Sequence, residues 1–272
     1  GSGHQTGKER ASLTMDIQRE LKNQARKLLE EKKVDLIIGY KQGTIPLRTT
    51  PCFIKDKAEV EDLVWNQFCE NNLVKYLIGR SEKVGVVVKG CDARSIVSLI
   101  KEKQIEKERV TIIGIPCSGV VDRKKIQIEL RGEEIVKVDL EDGKIRIKTR
   151  DSERSLESQK FLHDSCLGCK YKNPRLWDIL IGEKVEESEP KNEYGKIEEM
   201  AKKTAEERWQ YFNTEIEKCI RCYACRNACP LCYCQECFVD QNFPSWFGKT
   251  INLSDTLCFH IMRAFHTTGR CV

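Results

Sequence analysis

Apolar positions along this 272-residue chain change their period several times, and each change predicts an element. Residues 1–14, GSGHQTGKERASLT, show no periodicity and read as a leader outside the fold. From Asp16, Ile17, Leu21, Ala25, Leu28 and Leu29 recur at helical spacing as far as Lys33, and VDLIIGY (34–40) follows as a strand. A second amphipathic helix is predicted from Ala58 to Leu77, with Val60, Leu63, Val64, Phe68, Leu73 and Leu77 on one face. KVGVVVKG (83–90) is a continuous apolar run of the buried-strand kind. Asp92 then caps a helix carrying Ile96, Leu99 and Ile100, and VTIIGIP (110–116) supplies the next strand. Strand, helix and strand in alternation predict an α/β fold with a parallel sheet and right-handed crossovers.

Between residues 124 and 150 the period falls to two. KIQIEL, EIVKVDL and KIRIKT alternate apolar with polar, with turns at Arg131-Gly132 and Asp142-Gly143, which predicts an antiparallel meander with a charged outer side. CLGC (166–169) and a strand at Asp178–Gly182 come next, then the aperiodic polar segment EKVEESEPKNEYGK. A helix is expected from Ile197 to Glu217 and another from Ser254 to His266. The division expected is a leader (1–14), an α/β domain (15–182), a linker and helix (183–216) and a small cysteine-rich, ferredoxin-like module (217–272).

Composition narrows the function classes. The 47 basic and 42 acidic residues are interspersed, giving a net charge of +5 spread over a solvated surface, with little to support nucleic-acid binding. No apolar run approaches the ~18 residues of a membrane span, and mean hydropathy is -0.51, so membrane contact would need a partner. Fifteen cysteines, mostly in metal-like spacings, fit the reducing cytoplasm of an anaerobic, oxygen-sensitive system.

Seven of those cysteines fall within the nineteen residues Cys219–Cys237. Cys219, Cys222, Cys225 and Cys229, followed by Pro230, match the CxxCxxCxxxCP run that holds 4Fe-4S clusters. Three thiolates two residues apart on a tight loop reach different irons of one cubane, and the fourth, offset by three, ordinarily serves a second cluster. A zinc-binding interaction module without redox activity is the competing reading. It usually takes separated CxxC pairs or a Cys/His mixture, and no His lies between Cys219 and Cys237.

Four further cysteines are singled out by position. Cys91 follows one predicted parallel strand, Cys117 follows the next, and Cys166 and Cys169 form a CxxC. Carboxyl ends of parallel strands lie side by side, so these four can meet around one cluster; alternatively Cys91 and Cys117 are small buried residues. Cys91 at a strand-to-helix turn also admits a thiol nucleophile, but the phosphatase-type loop would need arginine where Val97 stands. Gly248-Lys249-Thr250 ends like a phosphate loop, yet Phe243 stands where its first glycine belongs. His163, His260 and His266 are isolated, and Cys52, Cys69 and Cys258 read as packing residues, with Cys258 a reserve ligand.

GYKQG (39–43), LVWNQFCENNLVKYL (63–77), VVVKGCDARS (86–95), GIPCSGV (114–120) and CLGCKYKNPRLWDILIG (166–182) resemble the coenzyme F420 hydrogenase/dehydrogenase beta-subunit family. The resemblance spans Val34 to Gly182 and implies an electron-transfer subunit that binds FAD and iron-sulfur clusters. Its partners would be subunits of formate dehydrogenase, hydrogenase or heterodisulfide-reductase type, and its hydride partner a deazaflavin or nicotinamide. Gly269-Arg270-Cys271-Val272 resembles the opening of a second cysteine run and so predicts a module cut short. Cys229 would then have lost its usual cluster, and one of Cys232, Cys234, Cys237 or Cys258 would have to substitute, or the second cluster would be absent.

Overall fold

The computed structural model describes residues 7–141, 143–187, 189, 194–248 and 250–271, with side chains from Asp16 onward. Asp142 of the second predicted turn, Lys249, residues 188 and 190–193 of the predicted linker and residues 1–6 of the leader lie outside the described residues. The chain divides into two compact units, Gly1–Lys191 and Asn192–Val272.

In the first unit, helix α1 (Gly7–Glu30) begins before Asp16, within the stretch read as leader, and buries Leu21, Ala25 and Leu28. Strands β1 (Leu36–Gln42), β2 (Thr49–Ile54) and β3 (Val84–Val88) follow, then α2 (Gly90–Lys101) and β4 (Val110–Gly114). After α3 (Arg123–Glu129) come β5 (Ile135–Glu141), β6 (Lys144–Thr149), β7 (Glu153–Glu157), the single turn α4 (Asp164–Leu167) and β8 (Ile179–Leu180).

The main sheet has the order β2-β1-β3-β4-β8, in which β1, β3, β4 and β8 run parallel and β2 is an antiparallel edge. All five β3 residues are buried, as expected of a strand covered on both faces. A three-stranded antiparallel sheet, β5-β6-β7, packs Ile145 and Ile147 with Ile126 and Leu130 of the α3 region, Val121 and Leu162 into a second core. The fold is thus α/β, a parallel sheet with helices plus an antiparallel meander.

Several expectations need correction. Ala58–Leu77 is not one helix: 3-10 turns at Lys57–Asp62 and Leu73–Leu77 flank irregular chain. The amide of Val64 donates to the Tyr40 carbonyl at 2.9 Å, and Asn66 and Asn72 accept from the amides of Phe68 and Val74. These local side-chain bonds compete with a helical ladder. KIQIEL is not a strand but lies in and just after α3, where Asp122 caps the Lys124 amide at 2.9 Å. The third strand of the meander is instead β7, and Arg131-Gly132 turns the chain out of α3 with φ of 52° and 83°.

In the second unit the helix expected over Ile197–Glu217 is two, α5 (Gly195–Lys202) and α6 (Ala205–Glu217). Thr204 caps α6 reciprocally with Glu207, which makes a helix start where continuous helix was expected. The short α7 (Ala224–Ala228) sits among the cysteines, and α8 (Leu253–Thr267) closes the unit. Phe259 of α8 is its aromatic centre, with ring centroids of Tyr223 at 5.4 Å and Phe238 at 6.1 Å.

Candidate functional site

The carboxyl edge of the parallel sheet gathers the chemistry of the first unit. β3 and β4 pair in parallel from Val84↔Val110 to Val88↔Gly114, so the chain leaves both strands at one edge. Cys91 stands in the first turn of α2, immediately beyond β3, and Cys117 lies just beyond β4. The CLGC segment reaches the same edge because its continuation runs back over it. The Cys117 amide donates to the Lys172 carbonyl at 2.9 Å, and the Ile181 amide donates to the Gly114 carbonyl at 2.9 Å as the chain leaves β8.

Two close approaches shape this return. A Cβ on Gly90 would run into the Tyr171 carbonyl oxygen, and one on Gly114 would stand 3.0 Å from Pro174. These glycines make room for the protein's own returning chain. On the other side of the site, the Val121↔Leu162 bridge and the His163 amide, donating to the Val120 carbonyl at 3.0 Å, tie the Cys117 loop to α4. The amides of Gly119 and Val120 donate to the sulfurs of Cys117 and Cys166, each at 3.4 Å.

Three of these thiols feel the charge of others in the set: Cys91 that of Cys117 and Cys169, Cys117 that of Cys166, and Cys166 that of Cys169. Although Cys91 reaches solvent, the protein atoms around its sulfur, and then the Asp92 carboxylate, push its pKa up to about 12. Burial is likewise the main cause that lifts Cys117 to about 11 and Cys166 above the ordinary thiol value. Such thiols are not poised nucleophiles, which argues against the Cys91 enzyme reading. Among the described residues, no group of three or more His, Cys, Asp or Glu side chains could hold a metal ion as placed. A single zinc draws sulfurs to about 4 Å of one another, whereas thiolates on different irons of a cubane stand farther apart.

Beside these thiols the Tyr171 side chain carries three cations: Arg94 at 4.3 Å from the ring centroid, Arg175 at 5.4 Å and Lys170 at 5.6 Å. Arg175 is paired with Glu187 at 2.8 Å and Lys170 with Glu189 at 3.8 Å. Beneath the edge lies a polar network that sequence reading missed. Lys89, Asp92 and Tyr40 are 3%, 0% and 0% exposed, and Lys89 Nζ reaches Tyr40 Oη at 2.6 Å and Asp92 Oδ2 at 2.9 Å. The one available signal was a lysine ending an otherwise apolar strand run.

In the second unit Cys225, Cys229 and Cys232 lie about Arg263, and among the described residues Cys219 and Cys222 are not joined to them. The thiols of Cys229 and Cys232 interact, Arg263 donates to Cys232 Sγ at 3.3 Å and to the Cys225 carbonyl at 2.8 Å, and the Arg221 amide donates to Cys219 Sγ at 3.4 Å. Cys222 is exposed, and so are Cys234 and Cys271. Cys258, read as a packing residue, is exposed too, because on α8 it is the neighbouring Phe259 that turns inward. Cys52 and Cys69 are buried, as read.

A parallel sheet with thiols at its carboxyl edge defines an α/β protein whose functional residues stand where such sheets ordinarily bind ligands. The sequence profile for the C terminus of the coenzyme F420 hydrogenase/dehydrogenase beta subunit matches residues 81–206, a span that contains Cys91, Cys117, Cys166 and Cys169 and stops before Cys219. The F420-dependent formate dehydrogenase subunit beta of Methanocaldococcus jannaschii is 26% identical over 90% of this chain and 80% of its own length. The F420-dependent formate dehydrogenase 1 subunit beta of Methanococcus maripaludis is 26% identical over 79% of this chain and 72% of its own. A chain of the F420-reducing NiFe hydrogenase complex of Methanosarcina barkeri superposes with a TM-score of 0.44 at 17% identity, over 61% of this chain and 63% of that one. The matched span and these relatives make the chain similar to the coenzyme F420 hydrogenase/dehydrogenase beta-subunit family. Among the described residues no helix is long and apolar enough to cross a membrane.

Proposed function

We propose that this chain is an electron-transfer subunit of an F420-linked oxidoreductase complex, holding FAD and a 4Fe-4S cluster on Cys91, Cys117, Cys166 and Cys169. The observation that carries the reading is the placement of Cys91, Cys117 and the returning CLGC segment at one carboxyl edge, inside the span that matches the family model. The residues fit such a group in two further respects. Backbone amides already point at Cys117 and Cys166, as hydrogen bonds to cluster sulfurs require. Cys91, Cys117 and Cys166, which burial holds protonated, need a cationic group to become thiolates.

A flavin supplies two-electron hydride exchange and iron-sulfur clusters supply single-electron transfer, a division of labour suited to joining a hydride carrier to one-electron partners. Arg94 and its neighbours on Tyr171 would offer positive charge to a phosphate-bearing cofactor beside the thiols. In the second unit Cys219, Cys222 and Cys225 would hold a further cluster, and Cys229, beside Cys232, would serve another or complete the same one. The partners would be formate dehydrogenase or hydrogenase subunits in a reducing cytoplasm. Anaerobic purification with iron, sulfide and flavin analysis tests the reading. We expect bound FAD and a loss of about one cluster's iron in Cys117→Ser. Preparations that stay free of flavin after FAD is added, or unchanged iron in that variant, would overturn the corresponding half.

A further inference from the structure

Lys89 and Asp92 form a charged pair sealed beneath the candidate cluster edge, and none of the proposed binding roles uses it. Burying such a pair is costly, and a well-packed apolar pair of similar volume is often no less stable, so stability alone is a weak reason for it. The Lys89 ammonium has three N–H donors, and three acceptors take them: Tyr40 Oη at 2.6 Å, Asn71 O at 3.0 Å and Asp92 Oδ2 at 2.9 Å. Tyr40 Oη in turn donates to the Asn71 carbonyl, and Asp92 Oδ2 also accepts the Lys89 amide at 3.0 Å. Every part is therefore locked in place. Lys89 is the residue between β3 and α2, so its charge sits at the same edge as the thiols.

We propose that Lys89 is a charge-positioning residue which raises the reduction potential of the cluster held by Cys91, Cys117, Cys166 and Cys169, and that Asp92 opposes it. The inference rests on the cluster reading above. Asp92 stands beside Cys91, its Oδ1 3.8 Å from the Cys91 sulfur, and Lys89, two residues before Cys91, has its ammonium fixed on Tyr40, Asn71 and Asp92. Their charges act on an added electron: a fixed cation in a low-dielectric site stabilises it and a fixed anion destabilises it. Lys89 keeps its proton throughout, so each electron taken up adds one negative charge to the site. In the titration below that electron comes from dithionite, which is oxidised to sulfite.

The test uses the full chain, purified anaerobically, as wild type, Lys89→Met, Asp92→Asn, the double variant and Cys91→Ala. Iron and sulfide are measured in each, and the electron paramagnetic resonance signal lost in Cys91→Ala is followed through a dithionite titration. Expected is a shift to lower potential in Lys89→Met corresponding to about tenfold in the one-electron equilibrium, about 59 mV. Asp92→Asn should shift upward, and the double variant should lie between them. Opposite signs are what a merely structural role would not give. Potentials that stay at the wild-type value, shifts of one sign, or loss of iron from both Asp92→Asn and the double variant would overturn the proposal. If Lys89→Met alone fails to fold, the upward shift of Asp92→Asn and its partial reversal in the double variant decide. Unchanged iron in Cys91→Ala would instead overturn the cluster reading itself, and this proposal with it.

Discussion

Gly90 lies directly against the carbonyl of Tyr171, with no space for a side-chain carbon between them. Two thiol-bearing segments distant in sequence, the start of α2 and the chain after CLGC, are brought together by that contact. Gly90→Ala must displace one of them, and backbone yields less easily than a flexible side chain. The expected result is a stability loss of about 1–3 kcal/mol in urea unfolding, with iron lost from the first unit. Wild-type stability and iron would show that the return loop is free to shift.

Strand β8 has only two residues, so its pairing with β4 needs help from a side chain. Asp178 Oδ2 accepts the Ile112 amide at 2.7 Å and stands 3.0 Å from Lys107 Nζ, fixing the loop that carries Cys166 and Cys169 back to the edge. Asp178→Ala is expected to cost about 1–3 kcal/mol, since it orphans a partly buried amide. Lys107→Met should cost under about 1 kcal/mol, because a pair this exposed is screened by water. Equal losses in the two variants would assign the effect to the ion pair rather than to the strand.

The parallel strands were legible because β1, β3 and β4 are apolar runs too dense for anything but a sheet buried on both faces. The thiol edge followed from them, since register puts successive carboxyl ends together. Alternation misled at KIQIEL. Ile126 and Leu130, four apart, are fully buried while Ile128 is 77% exposed, so a helical pair with one outward isoleucine imitated a strand. Strand β2 escaped notice because Pro51 lies within it, which an edge position permits. The apolar residues of 58–77 do go inside, but Asn66 and Asn72 bend the chain by bonds that hydrophobic period cannot register. Lys89 was hidden for a different reason: its three partners come from separate segments.

Cys222 separates the ligand assignment in the second unit from general thiol content. Cys222→Ser is expected to lower bound iron by about one cluster and to weaken the visible spectrum accordingly. Cys258→Ser, on the exposed side of α8, should leave iron unchanged. Loss of iron in Cys258→Ser with retention in Cys222→Ser would move the cluster away from the CxxCxxC run.

The second unit has little apolar core to hold it together. Among the described residues its buried apolar side chains are Pro230, Leu231 and Phe259, whereas Ile197, Trp209, Tyr211, Phe212 and Ile220 are exposed. A unit of this size ordinarily needs disulfides, metals or a partner when its core is so small. The first unit keeps a full sheet core and a second core behind the meander. Stripping iron anaerobically with ferricyanide and EDTA should therefore uncouple the two in stability. Hydrogen exchange is expected to show α6 and α8 losing amide protection, while β1, β3 and β4 remain protected. Trypsin should then cleave the second unit first. Protection of α6 and α8 unchanged without iron would mean that aromatic packing around Phe259 suffices, and that the cysteine run is not what folds the module.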